Sequence, residues 1–157
     1  MDKLRAAYRV VVIIGLAIMA SLVVYAVIVG LFENGTIPLG GTAMAGGMLD
    51  MIKFVFLGIS AALFPLMRFL SSRIINADAS QTGSPAEFGP LTTAAIVTFA
   101  LCEVPAIFGL VLYVLGRNTT DFYLFLLISS FFFGTNFPKF SQWEEWHRRK
   151  SGGQRRP

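Results

Sequence analysis

Four long apolar stretches run through the chain, and polar or glycine-rich segments separate them. They cover residues 10–32, 51–70, 91–115 and 122–137, and Lys53, Arg68 and Glu103 are the only charged residues inside them. About 20 apolar residues span the hydrocarbon of a bilayer as a helix, and a backbone in lipid must satisfy its own hydrogen bonds. The pattern therefore predicts an all-α polytopic membrane protein, a four-transmembrane-helix bundle. The fourth stretch is short, about 24 Å at 1.5 Å per residue, and needs either Phe140 or local thinning of the bilayer. The N-terminus starts basic, as a signal peptide does. Its apolar stretch is long and lacks a small-x-small cleavage site, which predicts a retained first helix.

The connections refine this layout. Residues 33–50 are rich in glycine, and residues 71–90 are polar with two prolines. Residues 116–121 form a tight turn that makes helices 3 and 4 antiparallel neighbours. Residues 54–60 (FVFLGIS) resemble residues 123–129 (YLFLLIS), and residues 13–31 align loosely with 96–114, which raises the expectation of two tandem hairpins. Small residues recur at four-residue spacing as Ala17 and Ser21, Gly58 and Ala62, Ser130 and Gly134. Such pairs are the usual contact surfaces of membrane helices.

Composition agrees with a lipid solvent. The 157 residues have a mean hydropathy of +0.66, and 14% are charged against about 25% in soluble domains. One transmembrane domain, residues 1–138, leaves only a tail at 139–157. Positive charge sets the orientation. Lys3, Arg5, Arg9, Arg68, Arg73 and the basic tail fall on one side, with Lys53 and Arg117 on the other. The positive-inside rule then predicts both termini in the cytoplasm, in a plasma (inner) membrane. In the tail, Phe140, Trp143 and Trp146 recur every three residues ahead of Arg148 and Arg149, a pattern for the membrane interface or for docking a partner.

Glu103 is the main candidate for chemistry, because it lies at the centre of the third stretch. A carboxylate at the membrane midplane is costly and reads as a functional site. Its candidate partners are Tyr25, Ser60, Ser129, Ser130 and Asn136, and no basic residue lies at its depth, which favours a neutral, protonated acid. Pro105, two residues on, removes a backbone donor and would open polar backbone beside the acid. Glu103 and Pro105 are thus the candidate ion-binding positions, and a hydrogen bond that pins helices together is the competing role for the acid.

The exclusions are equally plain. One cysteine, Cys102, forbids an intramolecular disulfide, and with the single histidine, His147, it cannot build a structural zinc site. There is no phosphate loop, dinucleotide fingerprint or nucleophile–base pair. No enzyme activity, no cofactor, no metal site and no nucleic-acid partner is expected. The expected partners are membrane lipids and other membrane subunits or further copies of the chain.

Residues 100–115 (ALCEVPAIFGLVLYVL) resemble the acid-bearing helix of rotary-ATPase proteolipid subunits. Glu103 stands at the acid's position, and Ile107, Phe108, Gly109, Leu110 and Val111 form the apolar stretch after it. The resemblance implies an ion-carrying carboxylate. It is local: the glycine-repeat helix is missing, the acid sits in the first helix of its hairpin rather than the second, and the tail is unlike that family. The sequence as a whole reads as a small integral membrane subunit of a larger complex, with Glu103 as a buried helix-packing group. A proton- or Na⁺-translocating subunit is one alternative. Another is an accessory subunit that contacts lipid, quinone or pigment through Phe122, Phe125, Phe131, Phe132 and Phe133.

Overall fold

The computed structural model describes residues 2–35, 46–77 and 89–137. It is all-helical there, with α1 Asp2–Glu33, α2 Gly46–Ala77, α3 Gly89–Gly116 and α4 Thr119–Asn136. α1, α2 and α3 contain their apolar stretches and extend beyond them, whereas α4 starts three residues early and ends one short, with Phe137 as its C-cap. α1 begins in the charged segment before residue 10, and α2 continues through seven residues expected in a connection. Hydropathy marks where a helix meets lipid, whereas backbone hydrogen bonding continues into water until a breaker stops it. Phe140, Trp143, Trp146, Arg148 and Arg149, and with them the tail reading, lie outside the described residues.

Three helices hold segments long and apolar enough to cross a membrane: 5–33 in α1, 47–70 in α2 and 92–116 in α3. α4 is not among them. Its 18 residues start with Thr119, Thr120 and Asp121 and end with Thr135 and Asn136, so its apolar part is shorter than the helix. Outward-facing surfaces are strongly apolar: Met51 and Phe54 are each 70% exposed, and Ile13 is 65% exposed.

α3 is the hub. It packs most extensively on α4, then α2, then α1, while α1 touches α4 only lightly. α1 and α2 make at most marginal contact, so the first two helices do not form a packed hairpin as α3 and α4 do. The likeness between the halves therefore does not extend to how they pack, as expected when apolar composition alone makes sequences look alike. Burial singles out the same hub: 39% of an 18-residue apolar window is buried in α3, against 17% in α1 and 11% in α2.

Contacts at one end fix an up-down-up-down arrangement. Glu33, at the end of α1, accepts a hydrogen bond from Thr119 at the start of α4. Lys53, early in α2, pairs with Asp121 of α4. A Cβ placed on Gly116, the last residue of α3, would lie 2.9 Å from Leu49 of α2. The turn between α3 and α4 is only Arg117 and Asn118. Arg117 takes a left-handed conformation, φ 55°, and its N–H donates to the Tyr113 carbonyl. Asn118 caps α4, its side-chain oxygen accepting from Thr120 N at 3.0 Å.

Two apolar clusters fill the interior. The larger joins Val11, Leu22, Leu63, Met67, Phe99, Cys102, Ala106, Phe132 and Phe133, and the smaller joins Val29, Tyr113 and Phe122. Phe122, Phe125, Phe132 and Phe133 are buried, and only Phe131 of the α4 phenylalanines named above faces outward. Four of these five phenylalanines thus build the core. Phe99 and Phe133 stack at 5.8 Å between centroids.

Candidate functional site

Glu103 turns toward α1. Its Oε1 lies 2.6 Å from Ser21 Oγ and 2.7 Å from Tyr25 Oη. Ser21 and Tyr25 are four residues apart, so one face of α1 presents both hydroxyls to the same oxygen. Ser21 Oγ also lies 2.6 Å from the Ile18 carbonyl, one turn back on its own helix. Tyr25 packs against both apolar clusters, so the polar group sits at the junction between them. Glu103 itself is partly exposed, and its Oε2 has no partner among the described residues and is not sealed in.

Of the candidate partners, Tyr25 alone meets the acid. Ser60 donates to the Phe56 carbonyl, Ser130 to the Leu126 carbonyl and Asn136 to the Phe132 carbonyl, all one turn back on their own helices. Ser129 crosses from α4 to the Cys102 carbonyl of α3. Ser21, one of the small residues at four-residue spacing, is the second partner, through its hydroxyl. The signal was present: a serine and a tyrosine at i and i+4 share a helix face.

Pro105 does not join Glu103. Two positions along a helix are about 200° apart. Pro105 lies on the buried stripe with Cys102, Ala106 and Gly109, while Glu103 faces α1. Near Pro105 the backbone is served from α4, by Ser129 on the Cys102 carbonyl. The N–H that Pro105 lacks would serve the Leu101 carbonyl, itself two positions from Glu103, so the polar opening expected beside the acid lies on another face of α3. Cys102 Sγ points toward Met67 of α2, 3.8 Å from its sulfur.

The small-residue pairs lie mostly outside the helix contacts within this chain. Ser21 is partly buried, but Ala17, Gly58, Ala62, Ser130 and Gly134 are all exposed, and a Cβ on Gly58 or Gly134 would meet nothing within 4 Å. Four-residue spacing identifies a face but not its direction, and here these faces point out of the chain. The close approaches lie elsewhere. A Cβ on Gly109 would lie 2.8 Å from Phe125 Cβ and 3.0 Å from the Phe122 carbonyl oxygen, and one on Gly15 would lie 2.8 Å from the Phe99 ring. A lone glycine has no spacing signature, which is why the sequence did not single these out.

A groove of about 330 Å³ runs between α2 and α4, lined by Leu57, Ser60, Ala61, Leu127, Ile128, Phe131 and Phe132. Its walls are almost wholly apolar. Among the described residues no cluster of histidine, cysteine, aspartate or glutamate could hold a metal ion. Comparison with protein-family models, with curated proteins and with solved structures finds no match.

Proposed function

We propose that this chain is a small integral membrane subunit of a larger membrane protein complex, with a structural, assembly role. All four helices cross the membrane in this reading and both termini are cytoplasmic. α4 rises about 27 Å, close to the roughly 30 Å of hydrocarbon, and its polar ends fall at the two interfaces. Arg5, Arg9, Arg68 and Arg73 then share the cytoplasmic end, while Lys53 and Arg117 occupy the other.

The observation that carries the reading is the use of Glu103. The acid accepts from Ser21 and Tyr25 of α1, the helix that makes the smallest of α3's three interfaces. Lipid tails compete with apolar side chains, so a directional polar contact fixes the rotation and register of α1 where apolar packing cannot. The outward small faces of α2 and α4 support a second level of assembly, because they offer close approach to helices of other chains.

Native mass spectrometry after gentle extraction tests this. A complex with other subunits, kept by Glu103→Gln and lost in Glu103→Leu, is the expected result. A monomer in every preparation would overturn it.

A second reading is favoured by the groove between α2 and α4. An accessory subunit would seat an acyl chain there, since the lining is almost wholly apolar. Co-purifying lipid that is lost in Ala61→Phe, with the fold intact, is the expected sign. Unchanged lipid content in that variant would remove it.

A further inference from the structure

Two ties join α2 to α4, at matching positions on the two helices. Lys53 pairs with Asp121, and the Phe64 ring meets the Phe132 ring at 5.6 Å between centroids. From Lys53 to Phe64, and from Asp121 to Phe132, is about three turns, so the two helices run parallel and in step. The groove lies between these ties, with Leu57, Ser60 and Ala61 on one wall and Leu127, Ile128 and Phe131 on the other.

The two ends of the groove differ in charge. At one end Lys53 is neutralised by Asp121. At the other, Arg68 follows Ala61 by about two turns on the same face of α2. Its guanidinium lies over the Phe64 ring at 5.4 Å. Arg68 is exposed and has no carboxylate partner among the described residues. Because Phe64 faces Phe132, the next turn sets Arg68 level with Thr135 and Asn136, the polar end of α4.

We propose that the groove and Arg68 together bind one anionic phospholipid, with an acyl chain in the groove and the phosphate on Arg68. A chain entering at the Arg68 end runs past Ala61 and Leu57 toward Lys53, the direction a lipid tail takes from its head group. A guanidinium grips phosphate through two parallel N–H donors. The Phe64 ring holds that fork in place by a cation–π contact. Arg73, over the Phe69 ring at 5.0 Å, and the exposed Arg5 and Arg9 of α1 add positive charge at the same end, which favours an acidic head group over a zwitterionic one. Lys53 is occupied by Asp121 and offers no such grip at the opposite end.

This inference rests on the reading that the groove seats an acyl chain, and one experiment separates the two. The full chain is purified in mild detergent with equal amounts of phosphatidylglycerol and phosphatidylcholine, and native mass spectrometry counts the lipids retained. The wild type should keep phosphatidylglycerol in preference. Arg68→Gln should lower that preference by about fivefold, the factor for one arginine at an anionic surface. Lys53→Gln should leave it unchanged, and Ala61→Phe should release the lipid altogether. Lipid lost in Ala61→Phe, with the preference intact in Arg68→Gln, would overturn the head-group site and leave the acyl groove standing. Lipid retained in Ala61→Phe would overturn both. A second protein chain held in place of lipid, and lost in Ala61→Phe, would make the groove a helix-docking surface and overturn the proposal. Should Arg68→Gln fail to fold, Arg68→Lys keeps the charge and removes the fork: a smaller fall is expected, and a preference no lower than wild type would overturn the assignment to Arg68.

Discussion

Toward α4, α3 presents a glycine and a backbone carbonyl. Toward α1, it presents a carboxyl and a phenyl ring. On the α4 side, Gly109 lets Phe122 and Phe125 reach the α3 backbone, and Ser129 binds the Cys102 carbonyl. On the α1 side, Ser21 and Tyr25 hold Glu103, and Gly15 admits the Phe99 ring. The two seams differ in how the chain delivers their partners. α4 follows α3 after two residues, so closure restricts little and close packing can set the geometry. α1 arrives through a far longer stretch of chain, and nothing in the connectivity sets its rotation. A directional polar contact supplies what the short turn supplies on the other side.

If this contrast holds, the α4 seam should be sensitive to shape and the α1 seam to hydrogen bonding. The largest effect is expected for Phe125→Ala, which empties a fully buried site. Truncation of a buried phenylalanine costs about 3–5 kcal/mol in water-soluble cores, and the lower end applies where lipid replaces part of the transfer term. Unfolding in a fixed mild detergent, followed by circular dichroism, measures it. Gly109→Ala should cost about 1–3 kcal/mol by overpacking, because the new methyl meets the Phe122 carbonyl as well as a side chain. If Gly109→Ala proves neutral, the α3–α4 seam is looser than this account requires.

On the α1 side the changes are smaller and chemically selective. Tyr25→Phe keeps shape and removes one donor to Glu103, so a loss of about 0.6–1.7 kcal/mol is expected, the range for hydrogen bonds between membrane helices. Phe125→Leu, as the shape control on the other seam, should exceed it. Equal effects would erase the distinction between the two seams.

The four helices were legible as long apolar runs set apart by polar or glycine-rich segments, and the short turn before α4 was legible from GRNTTD. The position of α3 as hub was not. All four stretches are apolar on every side, so periodicity does not report which faces meet. Glu103 stood out for its charge, and Tyr25 followed as a partner because few polar groups share its depth. Ser21 was read by its size rather than its hydroxyl. Pro105 was tied to Glu103 by proximity in sequence, although two helical positions put them on different faces. Gly15 and Gly109 escaped notice because a close approach is a property of the neighbour as much as of the glycine.

The Lys53–Asp121 pair belongs to neither seam and sets a lower bound for the comparison. It links α2 to α4 at an end of the bundle where both side chains are partly exposed. Exposed pairs contribute about 0–1 kcal/mol and weaken with salt. Lys53→Gln should therefore shift unfolding less than Tyr25→Phe, and its own effect should shrink further at high ionic strength.

The smallest effect on the isolated chain is expected where the sequence pattern looked most like packing. Gly58→Ala and Gly134→Ala add a methyl into open space and should change monomer stability by less than about 0.5 kcal/mol. Alanine also favours helix over glycine by about 1 kcal/mol in aqueous peptides, so slight stabilisation is the expected sign. The same substitutions become informative in the membrane. If these outward faces receive helices of other subunits, replacement by a larger residue, Gly58→Leu or Gly134→Leu, should leave the monomer folded and reduce recovery of the complex. A complex that tolerates both leucines would show that these small faces do not receive helices of other subunits.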